Sequence, residues 1–97
     1  MIIIYDNKGF TQLLTLECDS LQGADLKDAN LENANMIQLD LQYADLRNTN
    51  LQNADLRLAN LSHAKLDGAN LMGANLTGTI LDHTSLSGTL LPVSTSS

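Results

Sequence analysis

Residues 24–46 read ADLKDANLENANMIQLDLQYADL, and the spacing within this stretch decides the fold of the chain. Leucine, or once methionine, returns at every fifth position from residue 21 to residue 91. A small or apolar residue, most often alanine, stands two positions before nearly every one of these, usually with aspartate or asparagine between. The chain is therefore a tandem repeat of the unit Ala-Asp/Asn-Leu-x-x, and this period is interpreted before any local secondary structure.

A five-residue period fits neither of the two common regular structures. Five residues of an α-helix turn through about 500°, so successive leucines would spiral over every face. Along one continuous strand, an odd period would place successive leucines on opposite sides. Within one unit, however, alanine and leucine are two residues apart and share one side of a short extended segment. If the remaining two residues turn a corner, each following pair faces the same interior, which predicts a coil of very short strands.

The predicted core consists of the recurring aliphatic residues. The central positions are Leu21, Leu26, Leu31, Met36, Leu41, Leu46, Leu51, Leu56, Leu61, Leu66, Leu71, Leu76, Leu81 and Leu86. The alanine positions are Ala24, Ala29, Ala34, Ala44, Ala54, Ala59, Ala64, Ala69 and Ala74. Burial of one leucine contributes about 1.5–3 kcal/mol. Stacked leucines would therefore replace the aromatic residues, which make up 3% of the chain.

The second residue after each leucine is expected to form a tight corner. At most repeats it is glycine, asparagine or aspartate, which tolerate the positive φ of such turns. Gln38, Tyr43, Leu58, His63 and His83 depart from this pattern, and a different turn type is expected at some of those corners. The period itself allows three or four corners per coil. A spacing of twenty aligns like residues and favours four.

The run from Ala24-Asp25-Leu26-Lys27-Asp28 to Ala74-Asn75-Leu76-Thr77-Gly78 resembles the pentapeptide-repeat family, over roughly residues 19 to 91. The resemblance implies an all-β fold, a right-handed quadrilateral β-helix with four repeats per coil and a little under four coils. Members are common in cyanobacteria, and some are DNA mimics that bind DNA gyrase. This chain departs from that subgroup: it is shorter, it has leucine where the subgroup often has phenylalanine, and no dimerising helix follows its last repeat.

The ends of the predicted β-helix are expected to differ. Residues 1–18 read as strand, turn and strand, which predicts an N-terminal β cap with Phe10, Leu13 and Leu14 as candidate plugs. The β-helix is assigned to residues 19–91, and residues 92–97, beginning with Pro92, to a flexible tail.

The C-terminal end lacks an equivalent cap, and this motivates a candidate homodimer through the last coil. The candidate dimer end consists of Leu76, Leu81, Leu86, Leu90 and Leu91. A tail that folds back over this end is the alternative.

Composition excludes several classes of function. The 97 residues carry 5 Lys+Arg and 11 Asp+Glu, a net charge of −6. Such a chain is poorly suited to phosphate groups, so neither direct nucleic-acid binding nor membrane association is expected. The apolar start is short and has no basic stretch before it, so it does not resemble a signal peptide, and no apolar run is long enough to span a membrane. A cytoplasmic location is expected on these grounds, and the one cysteine, Cys18, which cannot form an internal disulfide, is compatible with it.

Candidate sites are few. His63 and His83 should share a corner in successive coils, with Tyr43 one coil earlier, and a solvated ladder is favoured over a metal site because no cysteine or carboxylate joins the column. The Asp/Asn column could form an acidic recognition face or an amide ladder, but Lys65 and Ser85 interrupt its charge after Asp45. No catalytic residue, cofactor or metal site is recognised, so an enzyme is not expected.

The leading interpretation is a non-enzymatic structural scaffold or protein-binding module with an unknown protein partner. The alternative is a DNA mimic that binds DNA gyrase or a related topoisomerase.

Overall fold

The computed structural model describes residues 1–92, which begin with a β-hairpin. Strand β1 (Ile2–Tyr5) pairs antiparallel with strand β2 (Gln12–Leu16), with Ile2 opposite Leu16 and Ile4 opposite Leu14. Asp6 organises the connecting loop, because its Oδ1 accepts the backbone N–H of Phe10 at 2.9 Å and that of Thr11 at 3.2 Å.

After the hairpin the chain winds as a β-solenoid whose successive coils pair in parallel. Isolated bridges join residues twenty apart, such as Asp25 with Asp45 and Asn30 with Asn50. Four pentapeptides therefore separate stacked residues. Two stacked segments donate to each other: Leu26 N–H donates to the Asp45 carbonyl at 2.8 Å, and Asp45 N–H donates to the Ala24 carbonyl at 2.8 Å. These bonds satisfy the main chain although each segment is too short to be a conventional strand.

The corners from residue 23 to residue 88 share one turn geometry. The second residue after each leucine has a φ between 58° and 76°, and the next N–H donates back to the leucine carbonyl, as Ala44 does to Leu41 at 3.0 Å. Positive φ at the third turn residue, but not at the second, defines a type II turn.

The prediction of a different turn at some corners was wrong. Gln38, Tyr43, Leu58, His63 and His83 all adopt φ between 58° and 63°. The next coil holds these backbones in place: Gln38 N–H donates to the Arg57 carbonyl at 2.9 Å, and Leu58 N–H to the Thr77 carbonyl at 3.0 Å. Inter-coil pairing thus overrides the reluctance of these side chains to adopt positive φ.

The interior of the solenoid is filled by the aliphatic repeats. Residues exposed by 3% or less include Leu21, Leu26, Leu31, Met36, Leu41, Leu46, Leu51, Leu56, Leu61, Leu66 and Leu71. The alanines at positions 34, 44, 54, 59, 64, 69 and 74 are also buried. Leu76, Leu81 and Leu86 at the C-terminal end, and Ala24 and Ala29 at the N-terminal end, are half-buried.

Thr49 replaces alanine inside the core. It is 1% exposed. Its Oγ1 donates to the Leu46 carbonyl at 2.8 Å. The hydroxyl therefore enters the core with its donor satisfied, which removes most of the cost of burying it.

The hairpin lies over the N-terminal coil and extends the solenoid by pairing with it. Asn7 N–H donates to the Asn33 carbonyl at 2.7 Å, and Asn35 N–H donates to the Tyr5 carbonyl at 2.8 Å. Asp6 and Ala34 form the antiparallel bridge between these bonds. The hairpin thus covers a sheet edge that would otherwise be free.

Ile4 is the main plug of the hairpin, with an exposed fraction of 2%. Leu13 and Leu14 are half-buried and pack against the core. The prediction that Phe10 plugs the first coil was wrong, because β2 begins at Gln12 and leaves Phe10 in the loop, 85% exposed.

Pro92, the first residue of the predicted tail, is half-buried. The rest of that prediction, residues 93–97, lies outside the described residues. Within residues 1–92 no helix is long and apolar enough to cross a bilayer.

Candidate functional surfaces

The Asp/Asn column has a structural role at the corners. In Asn50, Oδ1 accepts the backbone N–H of Gln52 at 3.1 Å. Corresponding bonds are made by Asp25, Asn30, Asn35, Asp40, Asp45, Asp55, Asn60, Asn70 and Asn75. The acceptor lies two residues before the donor, so each side chain forms an Asx-turn. The bonds to these N–H groups lie within one coil, where the sequence had suggested an amide ladder between coils.

This role predicts how Asn50 responds to substitution. Asn50→Ala removes the acceptor for Gln52 N–H and should lower the free energy of unfolding by about 1 kcal/mol. Asn50→Asp keeps an acceptor at the same place and should change it by less than about 0.5 kcal/mol. Urea titration followed by circular dichroism measures both. Equal losses in the two variants would contradict the Asx-turn role.

Two arginines neutralise carboxylates of this column. Arg47 contacts Asp45 through Nε at 2.9 Å and Nη2 at 2.7 Å. Arg57 contacts Asp55 in the same way, at 2.9 and 2.7 Å. Both arginines thus bond to the carboxylate two residues earlier in the same repeat. The available signal was the spacing Asp-Leu-Arg, because the Asx-turn bonds the arginine N–H to the aspartate Oδ1 and so holds the two side chains close together.

Hydrogen bonds stabilise the ionised carboxylates on these faces. The Arg47 side chain holds the pKa of Asp45 well below its usual range, and Arg57 lowers the pKa of Asp55. The side chains of Gln42 and Gln22 lower the pKa of Asp40. The amide nitrogens that do this lie 3.0 and 2.7 Å from its oxygens.

The arginine pairs predict a loss of stability in acid. Asp45 and Asp55 have folded pKa values below the ordinary 3.8. Their contribution is therefore present above about pH 4 and is lost as pH falls through the folded values. The urea midpoint of the wild type should fall between about pH 5 and about pH 2. In Arg47→Gln/Arg57→Gln the fall should be smaller. An equal fall in both proteins would contradict the assignment.

Three rings stack along one corner of the solenoid and form what we term the aromatic edge: Tyr43, His63 and His83. The centroids of Tyr43 and His63 are 4.7 Å apart with an interplanar angle of 4°, and those of His63 and His83 are 4.9 Å apart at 13°. Tyr43 is 63% exposed. This confirms the predicted shared corner. Parallel imidazoles do not aim their in-plane lone pairs at a common point, as a tetrahedral metal requires.

One cleft lies where the hairpin meets the first coil. Its volume is about 190 Å³, and it is lined by Ile2, Asp19, Ser20, Leu21, Leu39 and Asp40. Ligand pockets are typically about 300–1,000 Å³. Asp40 is already engaged by Gln22 and Gln42. The cleft is therefore too small to define a ligand site.

Apolar residues outside the alanine and leucine positions of the repeat differ in their exposure. Leu58 and Ile80 are exposed, whereas Ile37 and Met72 are half-buried. The Leu58 side chain packs against the corner at Gly78 in the next coil, since a Cβ added to Gly78 would lie 2.6 Å from Leu58 Cδ2. Glycine at position 78 thus leaves room for the side chain of Leu58.

A profile described as "Pentapeptide repeats" matches the chain in 8 copies, over residues 20–53 and 54–91. The chain belongs to the pentapeptide-repeat family. Its fold is the β-solenoid of that family, as the sequence resemblance implied. No curated protein matches the chain.

Solved structures of pentapeptide-repeat proteins resemble this one. Rfr23 from the cyanobacterium Cyanothece 51142 is 43% identical over 71% of this chain, with a TM-score of 0.44, and this chain spans 50% of its length. The protein alr5209 from Nostoc PCC 7120 is 36% identical to this chain, and the match covers 74% of this chain and 73% of the alr5209 chain, with a TM-score of 0.30. HetL from Nostoc sp. PCC 7120 is involved in heterocyst differentiation regulation. It is 30% identical to this chain, and the match covers 74% of this chain and 53% of the HetL chain, with a TM-score of 0.25.

Proposed function

We propose that this pentapeptide-repeat protein is a non-enzymatic scaffold that binds another protein along the aromatic edge. The observation that carries the proposal is the exposed stack of Tyr43, His63 and His83. Exposed aromatic side chains, tyrosine in particular, are enriched at protein interfaces and contribute strongly to binding.

The rigidity of the corner supports this role. Tyr43 N–H donates to the Ser62 carbonyl at 3.1 Å, and His63 N–H donates to the Asp82 carbonyl at 2.9 Å. Each ring also packs on its neighbour. The edge is therefore organised before a partner arrives, and little side-chain entropy is lost on binding.

We also propose for this chain the handedness, the coil count and the boundaries that the family resemblance implies. The solenoid winds to the right with a little under four coils, residues 1–18 act as its cap, and residues 19–91 form the β-helix. The protein works in the cytoplasm, binds no nucleic acid or membrane directly, and needs no cofactor.

The alternative function, a DNA mimic that binds gyrase, is less well supported because of how charge is distributed on the surface. Mimicry needs a continuous negative stripe, but Asp45 and Asp55 each carry an arginine at 2.7 Å. Lys65 and Ser85 continue the column that Asp25 and Asp45 begin. A DNA supercoiling assay with gyrase should therefore be unaffected by the protein.

The test compares capture of partners by three forms of the chain. Tyr43→Asn/His63→Asn/His83→Asn removes the rings and places asparagine where it serves as a corner residue elsewhere in this chain. The matched control, Gln38→Asn/Leu58→Asn, changes corners of the same φ away from the aromatic edge. Affinity capture from the native host should recover a partner with the wild type and the control but lose it with the triple variant. A triple variant that retains every partner, or a wild type that captures none, contradicts the proposal.

A further inference from the structure

The aromatic edge begins one coil later than its corner column. The column runs Gly23, Tyr43, His63 and His83, so the first coil contributes a glycine and no ring. Gly23 is otherwise an ordinary corner, because its N–H donates to the Gln42 carbonyl at 2.8 Å. Within residues 1–92, a Cβ added to Gly23 would have no heavy atom within 4 Å other than those of its chain neighbours. The position in the stack before Tyr43 is therefore open.

Two other corner glycines show that this space is not a general property of such corners. A Cβ added to Gly68 would collide with Oδ1 of Asn48, and one added to Gly73 would collide with Oδ1 of Asn53. In those columns the side chain of the preceding coil fills the space over the glycine. Gly23 comes first in its column, and its space is free.

One face of the Tyr43 ring borders this open position. The other face lies against His63, with 4.7 Å between the ring centroids and an interplanar angle of 4°. Because the rings stack along the column, the free face of Tyr43 is the one toward Gly23, and the residue is 63% exposed. The stack can therefore accept one more planar group at the same spacing.

A carboxylate is held beside the open position. Gln22 and Gln42, which directly precede Gly23 and Tyr43, donate through their side-chain amides to Asp40 at 2.7 and 3.0 Å. These bonds lower the pKa of Asp40, so its carboxylate is ionised at neutral pH. Asp40 is exposed, and a carboxylate with two oxygens can accept further hydrogen bonds besides these two.

Negative charge is concentrated at this end of the aromatic edge. A second exposed carboxylate, Asp25, lies on the opposite side of the corner. Further along, the corresponding positions are occupied by Asn60, which pairs with Asp40, and by Lys65. The arginine on the face of Asp25 is already bonded to the aspartate of its own repeat. The open position thus favours a cation over a neutral or anionic group.

On the basis of the function proposed above, we propose that the partner protein presents an arginine, which stacks on Tyr43 in the position that Gly23 leaves open. A guanidinium group is planar, stacks on aromatic faces, and donates hydrogen bonds to carboxylates from its edge. The charge of this arginine lies between Asp25 and Asp40. Lysine has no planar group to stack, and a nucleobase brings phosphates that these carboxylates repel.

Nuclear magnetic resonance titration of the full chain with two capped tripeptides of equal charge, Gly-Arg-Gly and Gly-Lys-Gly, tests the site. The arginine peptide should move the ring signals of Tyr43 and bind about two- to fivefold more tightly than the lysine peptide. Its Cδ protons should shift upfield, because they enter the ring current of the tyrosine. An arginine peptide that leaves the Tyr43 signals unmoved, or that binds no more tightly than the lysine peptide, overturns the proposal.

Gly23→Tyr fills the open position with a ring of the chain itself and leaves the aromatic edge intact. Tyrosine is compatible with such a corner, since Tyr43 adopts φ of 63°. This variant should lose binding of the arginine peptide. Gly88→Tyr is the matched control, because Gly88 has the same φ of 69° in another column, and it should bind the peptide like the wild type. Binding retained in Gly23→Tyr, or lost equally in both folded variants, overturns the location of the site.

Capture of partners by Gly23→Tyr separates this site from the function on which it rests. A partner that is lost with both the triple variant of the aromatic edge and Gly23→Tyr supports the two together. A partner that is lost with the triple variant but kept by Gly23→Tyr leaves the scaffold function standing and overturns the arginine site. Binding of the arginine peptide without capture of any partner supports the site and contradicts the scaffold function.

Discussion

Replacing Leu46 by alanine is expected to lower the free energy of unfolding by about 2–5 kcal/mol. Leu46 is fully buried and lies one coil from Leu26 on one side and from Leu66 on the other. Its backbone is held between coils, with Leu46 N–H donating to the Lys65 carbonyl at 2.8 Å. The coils cannot close on the vacated volume without breaking such bonds, so the cavity persists. A chain of this size is stabilised by only about 5–15 kcal/mol in total, so this one substitution removes a large share.

Leu86→Ala is the matched control, because Leu86 belongs to the same column but lies half-buried in the last coil that the structure describes. It should cost less than half as much as Leu46→Ala, since less surface leaves water at this position. Urea titrations should show a lower midpoint with an unchanged slope for both variants. Equal losses would contradict the difference in burial.

Ile4→Asp is expected to lower the free energy of unfolding by at least about 3 kcal/mol, because it buries an unpaired carboxylate. Ile4 is 2% exposed and packs into the core from β1. The carboxylate must either become protonated or leave the core, and leaving detaches the hairpin from the first coil. Leu21 and Leu26 then lose their cover. Urea titration measures the loss, and limited proteolysis should show faster cleavage within residues 1–16.

Phe10→Asp introduces the same charge in the same hairpin and serves as the control. Phe10 is 85% exposed, so the change should alter the free energy of unfolding by less than about 0.5 kcal/mol. The comparison separates the plug that the structure shows from the one that the sequence suggested. A larger loss in Phe10→Asp than in Ile4→Asp would contradict the structure of the cap.

The N-terminal hairpin, which precedes the repeats, could be predicted only in part from the sequence. The apolar run of residues 2–5, the Asp-Asn-Lys-Gly turn and the segment 10–16 were enough to predict strand, turn and strand. The choice of plug depended on where β2 begins. Because Phe10 N–H donates to Asp6 Oδ1 at 2.9 Å, the loop extends through Phe10. A shift of this kind at the start of a strand decides whether a side chain faces the core or the solvent.

The candidate surfaces were predicted in part. A spacing of twenty placed Tyr43, His63 and His83 at one corner, and their stacking follows directly from it. The Asp/Asn column was interpreted as a recognition face or an amide ladder, because its local bonds to the N–H two residues later depend on the turn type. The pairing of Asp45 with Arg47 was missed for the same reason, because it depends on the Asx-turn in which Arg47 N–H bonds to Asp45 Oδ1.

The sequence by itself determined the winding period and the interior of this protein, because a five-residue hydrophobic repeat can bury its leucines only if the chain turns a corner in every unit. Tertiary structure alone decided the uniform type II corners. A side chain such as Leu58 does not favour positive φ locally, and it adopts φ of 61° because its N–H bonds to Thr77 in the next coil. Tertiary structure also decided which leucines are covered, since burial at each end depends on what lies over it: the hairpin covers Leu21, and no described residue covers Leu86 in the same way.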